Sequence, residues 1–129
     1  MDNETTPRKT VALIAHDGKK ADMLAFAMSN KEVLSKYRLI ATNTTGTLIA
    51  DKTGLPITKM LSGPIGGDAQ IAAQIAEGLI EAVFFFIDPL EKQPHDPDIQ
   101  GLLRICNVHD VPIATNASTA EFIISGQAL

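Results

Sequence analysis

Five short segments that favour β-strands restrict the fold of this chain more than any other feature of its sequence. They span residues 11–15, 37–41, 57–60, 82–87 and 111–115. Continuous apolar runs such as the first and fourth are typical of strands covered on both faces. The stretches between the segments favour helices, so we predict a single doubly wound α/β domain with about five parallel strands and flanking helices. The most apolar run, 82–87, is expected to be the central strand.

The predicted helices cover residues 19–30, 47–52, 68–77, 98–107 and the segment from 118 onward. Gly54 is expected to close the second of them as a C-cap. Ser118 and Glu121 have the spacing of a capping box, which would begin the last helix. The 129 residues have the length of one domain, 1–129, and a hydrophobic content of 45% is sufficient for a core.

Composition and charge argue against several classes of function. The formal net charge is −4, whereas a nucleic-acid-binding protein normally needs a basic face. The sequence has one cysteine, Cys106, which excludes an internal disulfide and a cysteine-built metal site and is predicted to lie in the core. The first eight residues are polar, and no run reaches the roughly 18 apolar residues of a membrane helix. We therefore expect a cytoplasmic protein that binds neither nucleic acid nor membranes.

The glycine- and proline-rich segment SGPIGGD, residues 62–68, separates the third predicted strand from a helix. Three glycines and a proline in seven residues are incompatible with a helix or strand interior, so the segment is predicted to be a loop. Asp68 then lies at the helix N-terminus, where free backbone N–H groups and a partial positive charge suit an anion. A simpler alternative is that Asp68 is only the N-cap of this helix.

Polar residues directly follow four predicted strands, and the carboxyl ends of parallel strands meet at one edge of a sheet, where such folds bind ligands. Hydroxyl groups, one glycine N–H and one ammonium would converge there: Thr42, Thr44, Thr45, Ser62, Gly63 and Lys20. Lys20 lies one helical turn after His16, so both can face the same pocket. These groups predict a phosphate-binding cradle. Taken singly, the threonines are also compatible with an ordinary capped turn.

Four carboxylates would surround the bound phosphate: Asp17, Asp68, Asp88 and Asp98. Carboxylates repel phosphate, so their presence favours a proton-transfer enzyme, in which one of them acts as a general base. A neutral histidine, here His16 or His95, can polarise a carbonyl group or stabilise an enolate. A zinc site built from the histidines and aspartates is a weaker alternative, because a lysine and several hydroxyls are poor neighbours for it. His109 is expected at the opposite edge, without a role.

Five segments, taken together and in order, resemble the methylglyoxal synthase family. They are AHD at 15–17, TNTTG at 42–46, SGPIGGD at 62–68, DP at 88–89 and PHDPD at 94–98. The similarity extends from about residue 9 to residue 124, which is nearly the whole chain. It implies an enzyme that converts dihydroxyacetone phosphate into methylglyoxal and inorganic phosphate, as a homohexamer and without a metal or organic cofactor.

The resemblance also implies roles for individual residues. Asp68 would be the catalytic acid/base, Asp98 would assist proton transfer, and His16 and His95 would contact the substrate oxygens. Seven residues would hold the phosphate end: Lys20, Thr42, Asn43, Thr44, Thr45, Ser62 and Gly63. His95 is our choice for stabilising the enediolate that forms when Asp68 removes a proton. Inorganic phosphate would be a product and an inhibitor.

Three other functions match parts of the sequence. The same fold resembles the effector-binding domain of carbamoyl-phosphate synthetase, a regulatory module that binds a phosphorylated ligand without turnover. Such a module has no need for Asp68, His95 and Asp98 together, and their joint presence favours the enzyme. A phosphoacceptor receiver domain needs an aspartate at the end of its third strand, where residues 60–62 are Met-Leu-Ser. The third function is isomerisation of dihydroxyacetone phosphate, which the sequence does not exclude.

Overall fold

Five strands form one parallel sheet. The computed structural model describes residues 9–90 and 97–125, with only the backbone of residues 97 and 98. The strands are β1 Thr10–Ala15, β2 Arg38–Ala41, β3 Ile57–Lys59, β4 Ile80–Phe86 and β5 Ile113–Ala114. Their spatial order is β3-β2-β1-β4-β5, and every neighbouring pair is parallel. The predicted doubly wound α/β sheet of five parallel strands is confirmed.

The middle of the sheet belongs to β1, so the expectation that 82–87 forms the central strand is wrong. The chain adds β2 and β3 on one side of β1 and then crosses over to add β4 and β5 on the other. β4 is still an interior strand, because it pairs with both β1 and β5 and its residues 82–86 are buried. Apolar content identifies a covered strand, but it does not distinguish two neighbouring interior positions.

Helices cover both faces of the sheet. Within the described ranges they are α1 Lys20–Ser29, α2 Lys31–Leu34, α3 Asn43–Thr53, α4 Gly67–Ala76, α5 Pro97–Val108 and α6 Ala117–Ser125. Short 3-10 turns at Asp17–Lys19 and Gly63–Ile65 precede α1 and α4. In this part of the chain no helix has both the length and the apolar character needed to cross a bilayer.

Helix α3 begins at Asn43, whereas the sequence predicted a loop up to residue 46. Threonine and glycine are poor helix formers, which is why the loop was favoured. Gly46 lies tightly against the sheet: an added Cβ would come within 2.8 Å of the Lys59 Cγ and 3.3 Å of the Ala41 Cβ. This packing overrides the local propensity. The C-terminal end of α3 matches the prediction, because Gly54 closes this helix with φ of 80°.

Helix α6 has a different cap from the predicted one. The Asn116 side-chain Oδ1 accepts a hydrogen bond from the Thr119 N–H at 2.9 Å, which makes Asn116 the capping residue. The capping box of Ser118 and Glu121 is therefore wrong. Glu121 instead accepts a hydrogen bond from the Asn30 Nδ2 at 3.1 Å, which links α6 to the end of α1.

Two hydrophobic clusters, one on each face of the sheet, form the core. Successive residues of β1 alternate between them, with Leu13 in the cluster under α1, α3 and α6 and Ile14 in the cluster under α4 and α5. Phe26 of α1 packs edge-on against Phe84, with ring centroids 5.1 Å apart. Cys106 is fully buried in the second cluster, as predicted, and burial raises its pKa to about 11. It is therefore a core residue and not a nucleophile.

Candidate active site

The carboxyl ends of the strands place the predicted polar segments at one edge of the sheet. His16 directly follows β1, Thr42 directly follows β2, and Ser62 lies three residues after β3. Asp88 follows β4 with one residue between them. Because all neighbouring strands are parallel, these positions share the same edge, where open α/β sheets bind ligands.

His16 contacts the end of β4 and the first residues after it. Its Nδ1 accepts a hydrogen bond from the backbone N–H of Asp88 at 2.9 Å. Its own N–H donates to the Phe86 carbonyl at 3.1 Å, and its ring lies edge-on to Phe85 at 5.5 Å. An accepting Nδ1 carries no proton, so the proton of the neutral ring lies on Nε2. His16 can thus act as a hydrogen-bond donor through Nε2 while it is uncharged.

The Lys20 ammonium is anchored at the end of β1. Its Nζ donates to the Ala15 carbonyl at 2.9 Å and lies 3.1 Å from the Asp17 carboxylate. The Lys20 side chain is 20% exposed, whereas that of Asp17 is 95% exposed. Ion pairs with so exposed a partner are weak, so the ammonium remains available to a more highly charged anion.

The start of α3 presents backbone N–H groups together with hydroxyls. The first helical hydrogen bond joins the Gly46 N–H to the Thr42 carbonyl at 2.8 Å, so the amides of Asn43, Thr44 and Thr45 lie outside the helical ladder. Thr45 is fully buried, and its Oγ1 has no hydrogen-bond partner among the described residues. An unpaired buried hydroxyl destabilises a fold by about 1–3 kcal/mol, which a ligand oxygen would relieve. Asn43 and Thr44 are exposed.

The SGPIGGD loop turns directly into α4. Gly66 occupies the N-cap position with φ of 118°, and Gly67 is the first helical residue. Asp68 is therefore the second residue of the helix, and the alternative that it is only the N-cap is wrong. Its carboxylate points back across the loop, because a Cβ added to Gly63 would lie 3.5 Å from each of its two oxygens. The structure thus brings Asp68 beside the Ser62–Gly63 segment.

Asp88 contributes to the loop after β4 through both its backbone and its side chain. Its carboxylate accepts a hydrogen bond from the Leu90 N–H at 3.0 Å, an Asx-turn that suits the Asp-Pro sequence. The same carboxylate packs against Gly18, where an added Cβ would overlap an oxygen of Asp88. Gly18 is not among the predicted site residues, although a glycine directly after the His-Asp pair at a strand end is a signal of such a close approach.

Three predicted positions need separate mention. His95 and the side chain of Asp98 lie outside the described residues, and of Asp98 the structure gives only its place in the first turn of α5. Their proposed roles therefore stay predictions. His109 follows α5 on the way to β5, at the opposite edge from His16, where it was expected.

The described part of the chain contains no group of three or more histidine, cysteine, aspartate or glutamate side chains placed to hold a metal ion. The zinc alternative depended on His95 as well as His16, and His95 lies outside that part. The absence of a metal from the reaction stays a prediction.

A cleft of about 350 Å³ lies between the start of α1 and the start of α6. Its lining includes Lys19, Phe86, Pro89 and Asn116, and none of the predicted site residues. Lys19 is paired with Asp22 at 3.4 Å. Asp22, Thr115 and Ala117 at the start of α6 also line the cleft. The cleft thus has a carboxylate, a hydroxyl and a helix start of its own, but the predicted site residues lie outside it.

Comparison with known proteins gives a consistent result. The family model of the MGS-like domain matches residues 22–115. The chain is 58% identical over 114 residues to a methylglyoxal synthase of Clostridium botulinum, a match that covers 88% of this chain and 96% of that protein. It is 55% identical over 117 residues to a methylglyoxal synthase of Thermus thermophilus, covering 91% of this chain and 93% of that one.

A solved structure agrees with the sequence comparison. The crystal structure of methylglyoxal synthase from Elizabethkingia anophelis superimposes with a TM-score of 0.87 at 46% sequence identity, covering 92% of this chain and 79% of that one. Identity at this level over nearly the whole length, together with the matching fold, decides the assignment. The chain belongs to the methylglyoxal synthase family of enzymes.

Proposed function

We propose that this protein is a methylglyoxal synthase, a lyase that eliminates inorganic phosphate from dihydroxyacetone phosphate and leaves methylglyoxal. Its family and the names of its relatives support the reaction class. The observation that carries the proposal is the Asp68 carboxylate, which faces Gly63 from the first turn of α4. A base next to a phosphate-binding segment is what proton transfer on a small phosphorylated ketone requires.

The phosphate group would be held by the start of α3 and by the Ser62–Gly63 segment. Helix amides and the positive end of the helix dipole favour an anion. The Thr45 hydroxyl, which has no partner among the described residues, would gain one. Thr42, Asn43 and Thr44 would complete this end. The Lys20 ammonium would move from the exposed Asp17 to the phosphate, which carries more charge.

Asp68 would begin the reaction by removing a proton from the hydroxymethyl carbon next to the carbonyl group. Negative charge then develops on the substrate oxygens, where a single well-placed donor contributes about 10²–10³ in rate. His16 would donate through its Nε2 proton, since its Nδ1 is occupied by the Asp88 N–H. His95 would stabilise the enediolate, and Asp98 would assist proton transfer.

Phosphate would leave as the oxygen of the former hydroxymethyl group forms an aldehyde. The hydroxyl on that carbon gives up its proton, and the neighbouring enolate oxygen takes one up. The electron pair of the former hydroxyl oxygen shifts into the new C=O bond, the C=C bond moves to the phosphate-bearing carbon, and the C–O bond to phosphate breaks. The resulting enol takes up a proton on carbon and loses one from oxygen to give methylglyoxal. The C–O bond to phosphate overlaps the π system of the enediolate only when this bond stands out of the enediolate plane. The phosphate-binding cradle must therefore fix the torsion angle of this C–O bond in addition to binding phosphate.

The remaining parts of the proposal concern assembly and surroundings. We propose a homohexamer in the cytoplasm that needs no metal or organic cofactor, since the reaction transfers protons and breaks one C–O bond without a net redox change. Asp17 and Asp88 would be secondary carboxylates, Asp17 beside Lys20 and Asp88 in the loop that holds His16. Light scattering of the purified protein would test the hexamer.

A coupled assay with dihydroxyacetone phosphate tests the reaction, with methylglyoxal, free phosphate and glyceraldehyde phosphate measured separately. The proposal expects methylglyoxal and phosphate in equal amounts, inhibition by inorganic phosphate, and unchanged activity in EDTA. Phosphate binding without turnover would instead support the regulatory module. Glyceraldehyde phosphate as the main product would support an isomerase.

A further inference from the structure

The segment that leads into the phosphate-binding residues is attached to helix α4 by a glutamine side chain. The Gln70 Oε1 accepts a hydrogen bond from the backbone N–H of Leu61 at 2.7 Å. On the other side of the same residue, the Leu61 carbonyl lies so close to Gly67 that an added Cβ would overlap it. Leu61 directly precedes Ser62, so both of its backbone polar groups contact the first turn of α4.

The next residues continue this attachment. The Ser62 carbonyl accepts hydrogen bonds from the Gly67 N–H at 2.9 Å and the Ile65 N–H at 3.1 Å. Gly63 then faces the Asp68 carboxylate. The phosphate-binding segment and the base are thus joined through the start of one helix.

Apart from contacts with α4 and the turn before it, residues 60–62 are held in the described structure by the end of β3 and by Met60, which packs against the second hydrophobic cluster. They follow β3, a three-residue strand at the edge of the sheet, and Leu61 is exposed. The Met60 N–H extends the sheet with one hydrogen bond to the Ala41 carbonyl at 2.7 Å. The Gln70 side chain therefore supplies a hydrogen bond to the backbone of this segment from the helix that carries Asp68. It acts beside the Ser62–Gly67 backbone hydrogen bond and the contact between Gln74 and Met60.

We propose that Gln70 is a positioning residue for the elimination reaction. It does not touch the substrate; its side chain sets where Ser62 and Gly63 lie relative to Asp68. The inference rests on the proposed function, because it assigns Gln70 a part in that reaction. If the cradle sets the torsion angle of the C–O bond, loosening the cradle slows phosphate loss more than proton removal. The enediolate is then reprotonated more often before phosphate leaves.

The test compares Gln70→Leu with Gln70→Glu in D₂O. Gln70→Leu keeps the approximate size but removes the acceptor, and we expect kcat to fall about tenfold, since small misplacements reduce rates by up to ~10²-fold. KM should change less than kcat. Deuterium in recovered substrate should rise relative to methylglyoxal formed. Gln70→Glu retains an acceptor and should restore kcat and the deuterium ratio towards the wild-type values.

Gln74→Leu is the matched control. Gln74 lies one turn further along α4, and its Nε2 contacts the Met60 Sδ at 3.8 Å, so its loss removes a neighbouring contact without affecting the Leu61 N–H. Its Oε1 is buried without a partner among the described residues, so leucine should be tolerated there. We expect wild-type kcat and deuterium ratio for this control. If kcat falls as much in Gln74→Leu as in Gln70→Leu, the specific role of Gln70 is overturned.

Amide hydrogen exchange gives a readout independent of turnover. The Leu61 N–H should exchange faster in Gln70→Leu than in the wild type, and at near wild-type rates in Gln70→Glu. Faster exchange with an unchanged kcat and deuterium ratio would overturn the positioning role while leaving the proposed function intact. A wild-type protein that forms no methylglyoxal would overturn both. Gln70→Ala serves the same comparison if Gln70→Leu does not fold.

Discussion

The two halves of the candidate site are built in different ways. Around α4, the Ser62–Gly63 segment and Asp68 are joined by contacts between residues less than ten positions apart in the chain. Between β1 and β4, His16 receives its hydrogen bond from Asp88, which is 72 positions away. The first half can form as soon as the loop and helix form, whereas the second exists only once β1 and β4 pair. Local sequence therefore determines where Asp68 lies relative to Ser62 and Gly63, whereas strand pairing determines the orientation of the His16 ring.

The largest expected effect comes from removing the proposed base, Asp68, in the local half. Asp68→Asn should reduce kcat by about 10²–10⁴-fold, the usual contribution of a general base. The fold should persist, because asparagine is also tolerated near helix starts. Steady-state kinetics, thermal unfolding and inorganic phosphate binding together check this. A near-normal kcat in Asp68→Asn would show that Asp68 is not the general base. The local half would then contribute no acid or base to the reaction.

A glycine substitution tests how tightly the local half is packed. In Gly67→Ala the new methyl group would overlap the Leu61 carbonyl, so we expect a loss of about 1–3 kcal/mol in unfolding free energy, as for overpacked sites. Activity should fall as well, since Ser62 and Asp68 must move apart. The matched control is Gly101→Ala in α5, where an added Cβ meets nothing within 4 Å. It should stabilise the protein by about 0.5–1 kcal/mol through better helix propensity. Urea unfolding measures both.

The long-range half is tested by a double-mutant cycle on Gly18 and Asp88. Gly18→Ala places a methyl group against the Asp88 carboxylate, which should displace the Asp88 N–H from His16 and lower kcat about tenfold, as small misplacements do. Asp88→Ala keeps the N–H and removes the obstructing carboxylate, so its own effect should be smaller. The double variant should recover much of the loss caused by Gly18→Ala. Additive losses would show that the contact does not orient His16.

The smallest expected effect concerns Thr45. Its buried hydroxyl has no hydrogen-bond partner among the described residues of either half. Thr45→Val keeps the shape and removes the unpaired group, so the ligand-free protein should gain about 1 kcal/mol of unfolding free energy. Inorganic phosphate should bind more weakly, and kcat should fall as KM rises. Calorimetry and kinetics on Thr45→Val and Thr45→Ser distinguish the hydroxyl from the methyl group. A pure KM effect would contradict a role for the cradle in setting the torsion angle.

The sequence by itself determined the sheet, the order of its helices and the edge at which the polar segments meet. Apolar runs such as 11–15 and 82–87 mark strands covered on both faces, and parallel strands bring their carboxyl ends together whatever the details of packing. The SGPIGGD segment also placed Asp68 at a helix start, because glycine and proline determine where regular structure ends.

Only the tertiary structure decided the features that depend on residues distant in the chain. The early start of α3 depends on Gly46 packing against β2 and β3, and the tautomer of His16 depends on an amide after β4. The central position of β1 and the contact between Gly18 and Asp88 likewise follow from strand pairing. Local propensities differ by less than about 1 kcal/mol per residue, so close packing between distant segments can override them.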